Sequence, residues 1–243
     1  NTILLEGDVF GPVEIHGKPG VLVSAVPGTQ PTVSNAAGAG LRAGGSPGVR
    51  FRDIHVSGGS GALCEFTSSP RASVIRCNSS SAGNGIAVSD SPEWHVRDCT
   101  IVAGLACPAV NVGGRPGGLL LRCRVEGGSW GSMMFLTDRL RCVQSVISKG
   151  KLAAVYVTGP DCEFSECEIR DCPNWGIIGE HRLDRLIVRD CRFVKCGFEP
   201  SSSAYPGALV VRSNSSTVIH NTFVGSTAFA LTFVGGGTVQ DNL

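Results

Sequence analysis

The stretch Gly85–Ile101, GIAVSDSPEWHVRDCTI, decides the fold. Its start, Gly85-Ile86-Ala87-Val88, reads small-apolar-x-apolar. Its end, Val96-Arg97-Asp98-Cys99-Thr100-Ile101, reads apolar-x-x-small-x-apolar. Both alternate with period two, the signature of half-buried strands.

Outward from this stretch the same pair of motifs recurs along the whole chain. The second motif appears as Phe51/Ile54/Val56, Val74/Cys77/Ser79, Leu120/Cys123/Val125, Cys142/Ser145/Ile147, Phe164/Cys167/Ile169, Val188/Cys191/Phe193 and Val218/Asn221/Phe223, with a last copy at Val239/Asn242. Its middle position advances by 23, 22, 24, 22, 22, 24, 30 and 21 residues. The first motif runs ahead of it, from Gly40-Leu41-x-Ala43 to Ala230-Leu231-x-Phe233, and opens on a small residue in every copy but Leu63-Cys64-x-Phe66. Apolar residues nowhere recur at helical spacing over a helical length. Each unit is therefore several short strands and turns. Stacked in register, equivalent residues form columns about 4.8 Å apart, in a rod on the order of 50 Å long.

Composition agrees with an ordered, sparsely charged solenoid. The 243 residues hold 33 glycines, 21 basic and 20 acidic side chains, and 42% are apolar. That excludes a disordered chain, and the glycines have no collagen period. A formal net charge of +1 makes no electrostatic case for nucleic acid or an anionic membrane. The longest uncharged runs, Pro19–Leu41 and Asn221–Gln240, are too broken by proline, glycine and threonine to span a bilayer. Eleven cysteines without a single C-x-x-C lack the common zinc and redox spacings. The expectation is no metal and no cofactor.

On these motifs the chain resembles the right-handed parallel β-helix superfamily over its whole length. The resemblance implies an all-β solenoid of about ten coils, 22–24 residues each, forming one domain over residues 1–243. Leucine-rich repeats share the period, but positions five and eight before the cysteine column are not consistently apolar and leucine is not enriched.

The columns then nominate residues. The middle column reads Ile54, Cys77, Cys99, Cys123, Ser145, Cys167, Cys191, Asn221, Asn242, a turn ladder in which thiols act as small buried packing. Cys172 and Cys196 fall on neighbouring coils and are expected unpaired; stacked thiols in an odd-cysteine chain suit a reducing, cytoplasmic setting. One position earlier, Glu166 and Asp190 occupy adjacent coils, the spacing of a retaining-glycosidase pair, although Arg170, Arg189 and Arg192 interleave with them. These are the catalytic candidates. The oversized unit carries an insertion near 197–206 whose prolines and serines mark a protruding loop. Trp130, Trp175, His181, Phe198 and Tyr205 are the candidate partner-binding residues.

Family signatures of pectin- and alginate-active β-helices are absent. The leading expectation is therefore a non-enzymatic protein-recognition or scaffold domain, resembling the β-helix domains of F-box substrate receptors and cytoplasmic adaptors, with a protein partner, no nucleic acid and no membrane. Two alternatives stand beside it: a glycan-active or glycan-binding β-helix, and a cytoskeletal assembly component. The chain opens inside a strand and both ends stop mid-coil, so capping by flanking sequence or neighbouring subunits is expected.

Overall fold

The computed structural model describes all residues except 36–37, 59–61, 81–82, 84, 105–106, 115–116, 129–130, 137, 184, 199–206 and 227–228, and leaves aside the side chains of 131, 135–136 and 180–183. Among the described residues every element is a strand. The strands form three parallel sheets of eleven, ten and ten strands, here sheets 1, 2 and 3. In each sheet a strand pairs with those three positions before and after it in the chain. That is a parallel β-helix with one strand per sheet in every coil. Three parallel sheets, each taking one strand from every coil, exclude the leucine-rich alternative.

The stretch Gly85–Ile101 shows one coil. Ile86–Ser89 lies in sheet 3, Trp94–Arg97 in sheet 1 and Thr100–Val102 in sheet 2. Val96 registers with Val74 below and Leu120 above. Ile101 registers with Ser79 and Val125, and Ile86 with Cys64 and Val110. These inward columns form one continuous core. Phe51 stacks on Phe66 at 6.3 Å across it, and Phe193 on Phe223 at 4.9 Å.

The small residue opening the sheet 3 motif has a steric cause. A Cβ on Gly85 would meet Ile101 Cγ2 at 2.0 Å and the Ala109 carbonyl oxygen at 2.5 Å. The chain re-enters the core there against a sheet 2 side chain, so only a minimal residue fits.

The corner between sheets 1 and 2 is a two-residue turn. Its first residue lies in the left-handed region, with φ of +50 to +59° from Asp53 through Arg76, Asp98, Arg122, Gln144, Glu166, Asp190 and His220 to Asp241. Nine non-glycine residues in that conformation cost about 1–2 kcal/mol each, offset by the ladder beside them. Asn221 shows how that ladder works. Its Nδ2 donates to the Val188 carbonyl at 2.9 Å, and its Oδ1 accepts from the Cys191 N–H at 2.9 Å. The thiols imitate this more weakly. Cys123 Sγ donates to the Val96 carbonyl at 3.5 Å, and Cys99 Sγ accepts from the Cys77 N–H at 3.4 Å. Ser145 joins the series by accepting from the Cys123 N–H at 3.0 Å. A second ladder, of buried serines, lines the corner from sheet 3 to sheet 1. There Ser46 N–H donates to Ser69 Oγ at 3.0 Å, and Ser69 N–H to Ser91 Oγ at 2.9 Å. All eleven cysteines are free thiols, Cys172 and Cys196 included, although those two are register partners.

Candidate functional site

The outer face of sheet 3 changes character along the rod. Its outward column runs Glu14, Arg42, Glu65, Ala87, Asn111, Met134, Tyr156, Ile178, Val210, Thr232. At the N-terminal end it is ionic. Arg42 reaches Glu14 at 3.0 Å and Glu65 at 3.4 Å, and His16 lies 3.4 Å from Glu14. The Arg42 hydrogen bond holds the Glu14 carboxyl below its usual range.

Toward the C-terminal end the same column turns apolar. Ala153, Ile178 and Val210 form a second buried cluster, separate from the core, with Tyr156 and Trp175 packed against it. The registers explain why. Val155, Ile177 and Leu209 point inward to the core, so Tyr156, Ile178 and Val210, one residue later on each strand, point outward. Ala153 pairs with Trp175 on the same outer side. An outward face of a solvated sheet is ordinarily polar. Here Ala153, Ile178 and Val210 are instead apolar and buried, with Tyr156 and Trp175 half-buried beside them.

The sequence candidates distribute unevenly over this geometry. Trp175 lies in the patch, half-buried at the start of the strand Trp175–Leu183. His181 is on the same strand, with its side chain outside the described residues. Phe198, at the start of the insertion, is 40% exposed. Trp130, Tyr205 and residues 199–206 of the insertion lie outside the described residues. Glu166 and Asp190 sit elsewhere, on the exposed corner between sheets 1 and 2. Glu166 accepts from Gln144 Nε2 at 2.9 Å, while Asp190 lies 3.2 Å from Arg189 and 3.5 Å from His220. Sequence reasoning missed Tyr156, Ile178 and Val210. The available signal was an apolar residue at the outward phase of three successive strands. Among the described residues no three His, Cys, Asp or Glu side chains are arranged to hold a metal ion.

No family model matches the chain, and no curated protein matches it. Solved structures do. A tailspike protein of E. coli bacteriophage HK620, in complex with a pentasaccharide, aligns over 99% of this chain and 54% of its own with a TM-score of 0.70 at 12% identity. Tailspike protein 2 of Escherichia coli O157:H7 bacteriophage CAB120 aligns over 98% and 37% with a TM-score of 0.64 at 11% identity. The catalytic domain of an alpha-1,3-glucanase, in complex with tetrasaccharides, aligns over 99% and 62% with a TM-score of 0.56 at 10% identity. The chain thus spans about half or less of the two tailspikes it is similar to. The similarity shows that the chain shares the parallel β-helix fold of these proteins. It also corrects the leading expectation: these neighbours are tailspikes and a glucanase, not F-box receptors or adaptors, so the protein-recognition scaffold reading falls. The physical reason is that the repeat reports on the stacked interior, which all these proteins share, and not on what the outer faces carry.

Proposed function

We propose that this chain is a glycan-binding β-helix whose site is the apolar patch on the outer face of sheet 3. The observation that carries the reading is the packing of Tyr156 and Trp175 on Ala153, Ile178 and Val210. A pyranose ring offers an apolar C–H face and an equatorial rim of hydroxyls. An aromatic ring on a rigid sheet meets that face at low entropic cost. The fold neighbours solved with a pentasaccharide and with tetrasaccharides support a sugar over a protein. Binding rather than turnover is the reading because the side chains that define the patch, Ala153, Tyr156, Trp175, Ile178 and Val210, include no carboxylic acid to hand a proton to a glycosidic oxygen.

The test is titration with a panel of neutral oligosaccharides, comparing the parent protein with Trp175→Ala and Phe198→Ala. Trp175→Ala is expected to weaken binding about tenfold or more, with far-UV circular dichroism unchanged and Phe198→Ala close to the parent. Absence of binding to any oligosaccharide, or binding indifferent to Trp175, overturns the reading.

A further inference from the structure

The outer face of sheet 1 carries a periodic charge pattern. Its outward positions include Arg50 and Arg52 on one strand, His95 and Arg97 two coils on, Arg141 two coils further, and Arg189 two coils beyond that. The coils between carry Ser73 and Ile75, Leu119 and Leu121, then Glu163 and Ser165. Arginine therefore recurs every second coil, an axial advance of about 9.6 Å, along roughly 29 Å of the rod, with Arg52, Arg97 and Arg189 in one column and Arg141 two residues along the strand in the next. The outward strand positions hold five arginines against a single carboxylate, Glu163, in a chain of formal net charge +1.

Most of these arginines are held in place by a carboxylate shared with a second arginine. Asp53 accepts from Arg76 Nε at 2.6 Å and Nη2 at 2.7 Å, and from Arg52 Nε at 2.9 Å. Asp98 repeats the arrangement with Arg122 Nε at 2.6 Å and Arg97 Nε at 3.1 Å. Glu163 lies between Arg141 Nε and Arg189 Nη2, each at 2.9 Å. Asp53 and Asp98 each neutralise one guanidinium of two, while Arg189 also meets Asp190 at 3.2 Å. Arg52, Arg97 and Arg141 are held through Nε, which leaves their Nη edges for an incoming anion. Their side chains are 46%, 46% and 57% exposed. At the N-terminal end the chain from Ala25 to Gln30 walls a cavity of about 590 Å³ over Arg52, Asp53 and Arg76.

We infer that sheet 1 binds a linear acidic polysaccharide with one carboxylate or sulfate per disaccharide, laid along the rod axis. This rests on the glycan reading but uses a different face. The arginine spacing matches the advance of two sugars in an extended chain. The half-buried Ile75, Leu119, Leu121 and Val143 between the arginines suit the apolar faces of the intervening sugars. A nucleic acid strand carries a phosphate every 3.4 Å or so and is gripped by stacked aromatics. The outward positions of sheet 1 among the described residues carry no phenyl, phenol or indole ring.

The experiment is calorimetric titration with hyaluronan decasaccharide, which has one carboxylate on every second sugar, beside a neutral oligosaccharide and single-stranded DNA of similar length. Hyaluronan is expected to bind, more weakly as salt rises. Removing Arg97 and Arg141 together (Arg97→Gln with Arg141→Gln) is expected to cost about 100-fold in affinity. Glu163→Gln is expected to tighten binding, a gain that unfolding cannot mimic. Trp175→Ala leaves hyaluronan binding unchanged. The inference is overturned if hyaluronan does not bind, if the arginine pair or Glu163→Gln has no effect, or if DNA binds more tightly. Neutral-sugar binding that depends on Trp175 while hyaluronan fails removes this inference alone. The reverse pattern removes the sheet 3 site and leaves the acidic one.

Discussion

The inward columns and the corner between sheets 1 and 2 repeat with the same period and obey different rules. Inside, one coil after another presents a buried apolar side chain to its neighbours above and below, as Phe51, Val74, Val96, Leu120, the thiol of Cys142, Phe164 and Val188 do in sheet 1. At the corner the outermost residues are charged or polar, and Asp53–Arg76 and Asp98–Arg122 alternate in sign. The lesson is that a stack of like residues 4.8 Å apart is favourable when they are apolar. When they are ionised, alternation as in Asp53–Arg76–Asp98–Arg122 is favoured because like charges at that separation repel, and the like-charged neighbours Glu166 and Asp190 are each met by another side chain, Gln144 and Arg189. The interior supplies most of the stability, and the solvated ions of the corner add little to it.

The largest expected break of this contrast is inside. Phe164→Ala, at a fully buried site, is expected to cost about 3–5 kcal/mol, read as a fall in the midpoint of urea unfolding. Next comes the ladder between core and corner. Asn221→Ala strands the Cys191 N–H and the Val188 carbonyl in the interior and is expected to cost about 1–3 kcal/mol. Cys99→Ala, which removes a longer and weaker bond, is expected to cost less by the same measurement. A thiol ladder as costly to lose as the amide one would erase the distinction.

The smallest effect belongs to the corner ions. The Arg76 and Arg122 hydrogen bonds hold Asp53 and Asp98 below the ordinary aspartate value of 3.8. A carboxyl depressed in the folded state contributes stability above its unfolded pKa and loses it as pH falls through the folded value. Melting temperature is therefore expected to drop between pH 5 and pH 2. Asp98→Asn is expected to flatten that profile by about a degree or two, since both partners are largely solvated. A larger shift would mean that the corner bears on folding as the core does.

The fold was legible because its determinants are local and repeated. Cys99, Val96 and Ile101 each occupy a column whose other members can be lined up by spacing alone. The register confirms those columns pair by pair, through Val96–Leu120 and Ile101–Val125. The adjacency of Glu166 and Asp190 on the corner was legible for the same reason, as was that of Cys172 and Cys196. Tyr156, Ile178 and Val210 were not. In one dimension an outward apolar residue looks like its inward neighbours, and the sequence Ala153-Ala154-Val155-Tyr156-Val157 reads as continuous core. Only the pleat assigns Tyr156 to the outside. The arginine period of sheet 1 was hidden in the same way, since residues some 45 positions apart become neighbours two coils away.

The amino-acid order alone determined that this chain is a β-solenoid, how long each coil is and which residues stack, because period-two alternation recurs at a fixed spacing and each coil must bury its apolar face against the next. Only the tertiary structure decided which outward residues meet. The aromatic patch on sheet 3 and the arginine series on sheet 1 arise from register between distant strands. A repeat specifies that register, but a linear reading does not display the outer surface it creates.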